Sequence, residues 1–366
     1  MRTYRASDFV WMCVMAVVGV LGPGAAWDAQ PRQPVAARGA AVEVIYFQSW
    51  WDESPGIWCM DPDGRNKTAL PAHVHGEPSN FLHGGQRWFL SIREVGGGCY
   101  PDGSPRRALF AVCADGRAVR LTAPPDLEPA TATPHWLRHA ADGLISWVAR
   151  RWDAAGAVCE GGIYVARVDF DAHGGVRGLV EEPVAPRVRL PLAAADYGSD
   201  GWWRSAAPDI RSHDWAPDGT AVVYDTRGGA LRIMDLVHGV VRTLTDARGR
   251  WPAWSPDGTR VAFAECGPLS ALCVVDVDGG APHMVGGPLP GVWAILLRPV
   301  WSPTGAALAY QRLSDETGDL HAPLDMDVVR AMRDGGGTAN LTADTTEFLR
   351  PVAWCVVQEA VTVTRR

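Results

Sequence analysis

The chain carries the stretch Pro252-Ala-Trp254-Ser-Pro-Asp-Gly258-Thr-Arg-Val-Ala-Phe263, and near-copies of it occupy residues 213–224 and 299–310. Each copy places a tryptophan before a turn sequence with proline and glycine, and an apolar run follows the turn. An internal repeat of this kind predicts stacked supersecondary units, because one unit cannot bury its own apolar face and must pack on the next.

One repeat unit predicts four short strands. In the turn Pro256-Asp-Gly258, proline presets φ at the first corner and glycine accepts positive φ, which is typical of a β-hairpin. The segment Leu272–Val277 shows period-two patterning and ends at the turn Asp278-Gly-Gly280. Four antiparallel strands per unit make one blade of a β-propeller.

Weaker copies of the unit cover Pro78–Thr122 and Pro134–Val168, and a further unit at residues 42–70 lacks its first strand. Arg350–Trp354 can supply that strand. We therefore predict an all-β fold, a six-bladed β-propeller of four-stranded antiparallel blades that is closed by the C-terminal segment. Residues 360–364 also have strand character, which keeps seven blades as an alternative.

The Trp254-Ser-Pro-Asp-Gly258 signature and the Asp-Gly-Gly turns resemble those of TolB-like, WD40-like repeat propellers of bacterial envelopes. The resemblance spans residues 209–354 and, in weaker form, 78–180. It concerns the propeller part only, since the chain shows no counterpart of the N-terminal α/β domain of TolB. It implies a scaffold of the cell envelope.

The N-terminus predicts export. Arg2 and Arg5 precede an apolar run at residues 9–21 and a small-residue ending at Ala26, which is the layout of a signal peptide. An uncleaved anchor is the alternative. We divide the chain into a signal peptide, a flexible linker and a β-propeller, at residues 1–26, 27–41 and 42–366. The mature protein is expected to be periplasmic or secreted, with no membrane span.

Charge narrows the choice of partner. Cleavage removes Arg2, Arg5 and Asp8, so the formal net charge moves from −7 to −8. A mildly acidic chain argues against nucleic acid, because binding to phosphates needs basic surface. We expect a monomer whose partner is an envelope protein, an acidic peptide or a small acidic ligand.

Seven of the eight cysteines remain after cleavage at Ala26, so at least one has no partner within the chain. Cys266 and Cys273 flank the loop between the second and third strands of one blade, and we predict a disulfide between them. Cys99 and Cys159, in equivalent loops of adjacent blades, are a second candidate pair. The sequence contains no Cys-x-x-Cys spacing, the pattern that would indicate a zinc site. We predict neither a metal nor another cofactor.

One side of the propeller is expected to carry the function. Connections between second and third strands, and those from blade to blade, open on the same side, whereas the other side holds tight turns. The irregular segments of the first side are residues 49–54, 94–106, 151–161, 180–208 and 312–324. Binding residues concentrate in loops on a rigid scaffold, so we assign binding to this side.

Arginines recur shortly before the blade tryptophans, and they are Arg211, Arg250, Arg298 and Arg350. The first strand of a blade lines the central channel, so these guanidinium groups would surround the channel mouth and bind carboxylates in bidentate fashion. The alternative is that each arginine stacks on a neighbouring tryptophan or stays solvated.

Tryptophans divide into two groups among the 17 in the chain. One per blade recurs at the same place and is expected to pack between sheets: Trp136, Trp215, Trp254, Trp301 and Trp354. Four others depart from the repeat and lie in loops: Trp50, Trp51, Trp202 and Trp203. These four are candidates for ligand contact, with simple loop packing as the alternative.

No catalytic motif stands out. Gly-x-Ser-x-Gly and His-Glu-x-x-His are absent, and the histidines and acidic pairs are scattered. We therefore predict no catalytic residues and a non-enzymatic binding or scaffold protein. The alternative is a propeller enzyme, a carbohydrate lyase or hydrolase with a channel-centred site. Three or more converging His or carboxylate side chains would favour that enzyme.

Overall fold

The computed structural model describes residues 41–49, 56–73, 79–83, 86–121, 126–129, 135–136, 143–181, 186–190, 192–193, 207–208, 210, 212–226, 228–266, 270–287, 293–315, 325–343 and 349–358. All regular elements in these ranges are β-strands, and none of the described residues belongs to a helix long and apolar enough to cross a membrane. The segment expected to be the signal peptide and nearly all of the expected linker lie outside these ranges.

The described strands form six blades, as predicted. Blade 1 joins both ends of the chain and contains, from the centre outward, β28 (Leu349–Gln358), β1 (Ala41–Ser49), β2 (Gly56–Met60) and β3 (Thr68–His73). Blade 2 contains β4 (Ser79–His83), β5 (Gln86–Cys99), β6 (Pro105–Cys113) and β7 (Ala118–Leu121). Blade 3 contains β8 (Leu127–Pro129), β9 (His135–Trp136), β10 (Leu144–Trp152), β11 (Val158–Phe170), β12 (Val176–Leu179) and β13 (Val188–Arg189).

The second half of the chain follows the repeat more regularly. A short pair, β14 (Leu192–Ala193) and β15 (Ala207–Pro208), precedes it. Blade 4 contains β16 (His213–Trp215), β17 (Ala221–Asp225), β18 (Ala230–Asp235) and β19 (Val241–Arg248). Blade 5 contains β20 (Arg250–Trp254), β21 (Arg260–Cys266), β22 (Ala271–Asp276) and β23 (His283–Gly286). Blade 6 contains β24 (Trp293–Trp301), β25 (Ala307–Asp315), β26 (Asp325–Met332) and β27 (Thr338–Asn340).

The C-terminal strand closes the propeller. β28 pairs antiparallel with β1 along the whole of β1, from Ala41 opposite Gln358 to Ser49 opposite Leu349. The prediction that the C-terminal segment completes the N-terminal blade is therefore confirmed, with six blades rather than seven. Residues 360–364, the rival strand, lie outside the described residues.

The apolar core is divided into layers between neighbouring blades. Alternate residues of one strand serve different layers: Val261 and Phe263 pack against blade 4, whereas Ala262 packs against blade 6. Every pair of neighbouring blades, including blades 6 and 1, shares such a cluster of buried side chains. Each blade therefore depends on two neighbours, which only a closed circle of blades provides.

The repeated turn has the geometry that its residues predict. Gly258 has φ of 76°, and its amide donates to the carbonyl of Ser255 at 3.0 Å. The carboxylate of Asp257 accepts from the amide of Thr259 at 3.0 Å and from the hydroxyl of Ser255 at 2.6 Å. Aspartate and glycine thus stabilise the turn through bonds within it, and threonine takes the place of the aspartate at residue 304 in blade 6.

The blade tryptophans pack between sheets, as expected. Trp215, Trp254, Trp301 and Trp354 are each at most 7% exposed, and the side chain of Trp136 is not described. Two of them also bridge blades: Trp215 Nε1 donates to Ser146 Oγ at 2.8 Å, and Trp301 Nε1 donates to the carbonyl of Ala253 at 2.9 Å. One residue type therefore fills the core and satisfies a buried polar group of the next blade.

A substitution at Trp354 tests the closure of the propeller through β28 and β1, because Trp354 belongs to β28 and its Nε1 donates to Glu43 Oε2 of β1 at 2.9 Å. We expect Trp354→Ala to lower the free energy of unfolding by about 3–5 kcal/mol, as measured by denaturant titration. Val356→Ala is the matched control on the same strand, since Val356 is 40% exposed, and it should change stability by less than about 0.5 kcal/mol. Equal effects of the two substitutions would contradict the closure.

Candidate functional site

The first strands of the blades converge at the centre of the molecule. β16, β20, β24, β28, β4 and β9 contact one another in that order, whereas the fourth strands lie outside. Because neighbouring strands are antiparallel, the second-to-third connections leave on the side where the first strands begin. We call this side the loop-rich face.

Three of the four arginines predicted to surround the channel mouth are described, and each lies in a first strand: Arg250 in β20, Arg298 in β24 and Arg350 in β28. Their positions are not equivalent, because Arg250 precedes Trp254 by four residues whereas Arg298 precedes Trp301 by three. The register shifts between Arg250 and Ala253 in blade 5, and between Leu297 and Val300 in blade 6. Arg298 therefore lies within its bulge and Arg250 before its own.

The bulges hold two side chains against each other. Trp251 and Arg298 each precede a proline and have φ of 50° and 53°. The guanidinium carbon of Arg298 lies 5.5 Å from the centroid of the Trp251 ring. Left-handed backbone at a residue with a side chain costs about 1–3 kcal/mol and concentrates at functional sites. Two adjacent blades thus carry the same strained feature in their first strands, three residues before the blade tryptophan.

Arg350 is engaged within its own blade. It is 4% exposed, and its Nε donates to Gln48 Oε1 at 2.7 Å, while a second guanidinium nitrogen, Nη2, donates to the same oxygen. Gln48 belongs to β1, so this contact also fastens the closure. The remaining candidates, Arg211, Trp50, Trp51, Trp202 and Trp203, lie outside the described residues.

A second group of polar side chains lies between blades 2 and 3, and the sequence did not single it out. Arg150 is 1% exposed and contacts two carboxylates, Glu128 Oε2 through Nε and Asp102 Oδ2 through Nη2, both at 2.6 Å. Glu128, itself 0% exposed, also accepts from Trp152 Nε1 at 3.0 Å and lies 3.6 Å from Arg107 Nη1. Removing one partner of such a buried network leaves a charge uncompensated, so the network fixes the two hairpins relative to each other.

Topology explains why this network was missed. Glu128 belongs to β8, a short strand that pairs with residues 149–151 of β10 and shares the innermost position of blade 3 with β9. The repeat predicts only the strand at Trp136. The available signal was the charged and aromatic sequence Arg150-Arg-Trp-Asp153 at the end of a second strand, facing Tyr100-Pro-Asp102 in the preceding blade.

The pKa of Asp102 reflects its place in the network. Burial acts to raise the pKa, but hydrogen bonds from Ser104 and the pairing with Arg150 outweigh it and hold the pKa below its usual value. Ser104 donates to Asp102 Oδ1 from both its hydroxyl and its amide, at 2.7 and 3.0 Å. Asp102 is therefore a charged, structural carboxylate.

The cysteines differ in their states. Cys273 is disulfide-bonded, but the side chain of Cys266 is not described, so their pairing stays a prediction. Cys99 and Cys159 are free and exposed, so this second candidate pair was wrong. Each lies on its own blade's hairpin, and Cys159 Sγ is directed to the carbonyl of Arg151 in the same blade, at 3.6 Å.

Metal chemistry has no candidate in the described part of the chain. Among the described residues, no group of three or more His, Cys, Asp or Glu side chains is arranged to hold a metal ion. His213 is fully buried, and its Nε2 lies 2.9 Å from Ser146 Oγ, which also accepts from Trp215. This histidine links blade 3 to blade 4.

The molecule is a six-bladed β-propeller, and the comparisons agree with that class. No protein-family model matches the chain, and no curated protein matches its sequence. Similar solved structures include TolB from Acinetobacter baumannii, with a TM-score of 0.52 and 17% identity over 86% of this chain and 66% of that one. The fold expected from the TolB-like repeat is thereby confirmed. The chain spans about two thirds of the length of that protein.

Two further structures have lower similarity. A protein assigned as TolB from Agrobacterium tumefaciens gives a TM-score of 0.46 and 16% identity, over 86% of this chain and 99% of that one. A protein assigned as a 6-phosphogluconolactonase from Bacteroides fragilis gives a TM-score of 0.44 and 12% identity, over 87% and 98%.

The depressed pKa of Asp102 predicts a pH dependence of stability. The unfolded state takes up a proton first, near pH 3.9, so the stabilisation is present above about pH 4 and is lost as the pH falls through the folded-state pKa. We expect Asp102→Asn to be less stable than wild type at pH 7, and to lose less stability on acidification. Denaturant unfolding between pH 7 and pH 2.5 measures both. Parallel pH profiles would contradict the assignment.

The disulfide prediction is checked by peptide mapping without reduction. We expect a peptide that contains Cys273 to be linked to one that contains Cys266, because Cys273 is bonded and both flank one hairpin. A link from Cys273 to any other cysteine would contradict the pairing.

Proposed function

We propose that the protein is an exported binding propeller that holds an acidic ligand at the channel mouth of its loop-rich face. The ligand is a carboxylate-bearing segment of another envelope protein or a small acid. The protein acts as a monomer in the periplasm or outside the cell and needs no cofactor. The repeat resemblance to envelope propellers supports the location, and the first-strand arginines support the ligand chemistry.

The strained pair of Trp251 and Arg298 carries the proposal. A left-handed residue before proline is disfavoured twice, by its own side chain and by the proline ring. Its occurrence in two adjacent blades, within first strands that contact each other, is explained if the bulges present a guanidinium and an aromatic face to a ligand. A guanidinium group stacks on aromatic rings, and its planar fork of N–H donors matches the geometry of a carboxylate.

The arginines differ in their proposed roles. Arg298 and Arg250 are half-buried and would contact the ligand directly. Arg350 is buried against Gln48 and would act mainly by stabilising the seam of the propeller, which is the pairing of β28 with β1. Arg211 and the loop tryptophans Trp50, Trp51, Trp202 and Trp203 remain proposed ligand contacts.

Binding to an acidic probe tests the proposal. The double variant Arg250→Ala/Arg298→Ala should bind a fluorescein-labelled Glu/Asp peptide at least tenfold more weakly than wild type in fluorescence anisotropy. Hydrogen bonds to charged groups contribute about 1.5–3 kcal/mol each, and a tenfold loss corresponds to about 1.4 kcal/mol.

The control removes the same charge elsewhere. Arg120→Ala/Arg177→Ala alters two arginines of outermost strands, β7 and β12, and should leave the affinity unchanged. If both double variants lose affinity equally, the effect is one of total charge and the proposal fails. It also fails if wild type does not bind the peptide.

A further inference from the structure

A cavity of about 260 Å³ lies between the hairpins of blades 2 and 3 on the loop-rich face. Its lining residues are Tyr100, Pro101, Arg106, Asp126, Trp152 and Asp153. Sites for drug-sized ligands have volumes of about 300–1,000 Å³, so this cavity suits one small ring rather than an extended chain. None of the lining residues belongs to the first-strand arginines or to the Trp251 bulge.

Two aromatic rings from different blades stack on each other and line the cavity together. The rings of Tyr100 and Trp152 are 12° from parallel, with centroids 6.2 Å apart. The guanidinium carbon of Arg150 lies 4.7 Å from the Trp152 centroid, and that of Arg106 lies 5.2 Å from the Tyr100 centroid. Trp152 is further fixed by its bond to Glu128, so the apolar walls are held before any ligand arrives.

The polar lining offers acceptors at the edge of these walls. Asp153 Oδ1 accepts from the amides of Ala155 and Ala157, both at 2.9 Å, and these bonds leave its Oδ2 unused. Asp126 Oδ2 is 2.5 Å from Arg151 Nη1, and that contact leaves its Oδ1 unused. Ionised carboxylates only accept hydrogen bonds, so a ligand here must supply donors.

The lining carries one positive and two negative side chains, and Arg151, which pairs with Asp126, balances the second negative charge. Arg106 and Asp153 are opposite in sign, and Asp126 is paired with Arg151. A net cation or a net anion therefore gains little from this cavity. A neutral ligand with several hydroxyl groups fits better, because hydroxyls donate to carboxylates, accept from guanidinium, and can be carried on a ring whose C–H edge meets an aromatic wall.

We infer that the cavity binds one neutral sugar ring. Its hydroxyls donate to Asp126 and Asp153 and accept from Arg106, and its apolar edge lies against Tyr100 and Trp152. Pro101 also lines the cavity, and it lies against the tip of the blade 3 hairpin at Gly156. The site is independent of acidic-ligand binding at the channel mouth.

Saturation-transfer NMR and calorimetry on the full mature chain test the inference. The probes are glucose, galactose, mannose and N-acetylglucosamine, with glucuronate as the anionic and choline as the cationic comparison. We expect at least one neutral sugar to bind with a millimolar dissociation constant. Asp153→Asn and Arg106→Gln should each weaken that sugar at least fivefold.

Asp171→Asn is the matched control. Asp171 caps the turn between the third and fourth strands of blade 3, in the same way as Asp153 caps the second-to-third turn of that blade. Its Oδ1 accepts from the amides of His173 and Gly175, both at 2.8 Å. It lies on the opposite face and should leave sugar affinity unchanged. The inference is overturned if no neutral sugar binds, if glucuronate or choline binds more tightly than every neutral sugar, or if Asp171→Asn weakens binding as much as Asp153→Asn.

Discussion

The pairing of β28 with β1 is the constraint on which the rest of the structure depends. Each blade buries both of its faces against neighbours, so an open arc would leave two apolar faces and two sheet edges in water. The seam is held by backbone pairing along all of β1, by Trp354 with Glu43, and by Arg350 with Gln48. Closure at one blade therefore stabilises all six.

The closed propeller holds charged side chains in buried positions on its loop-rich face. Buried charges there are paired, as Arg150 is with Glu128 and Asp102, and as Arg312 is with Asp327 at 2.8 Å. These pairs lie at or near the second-to-third hairpins, and they hold in place the surfaces proposed to bind ligands. Strain at Trp251 and Arg298 persists because the surrounding strands over-determine it.

The repeat predicted the fold because its information is local. Pro256, Asp257 and Gly258 define a turn through bonds within six residues, and a tryptophan per blade marks the core face. The candidate sites were less predictable, since they depend on contacts between blades. Glu128 reaches Arg150 only because β8 inserts beside β10, and the sequence does not reveal that Trp251 and Arg298 lie in bulges with left-handed backbone. The sequence predicted that binding belongs to the loop-rich face, but it predicted neither the contact of Glu128 with Arg150 nor the bulges of the first strands.

The most direct test of this account is a cross-link across the seam. Val44 lies opposite Cys355 and Val42 lies opposite Val357, so Val44→Cys should form a disulfide with native Cys355 under mild oxidation. Val42→Cys, two residues away in register, should not. Mass spectrometry of unreduced peptides identifies the link. Its formation in Val44→Cys alone is the result predicted by a propeller closed through β28, whereas its absence, or equal linking from both positions, would contradict the closure.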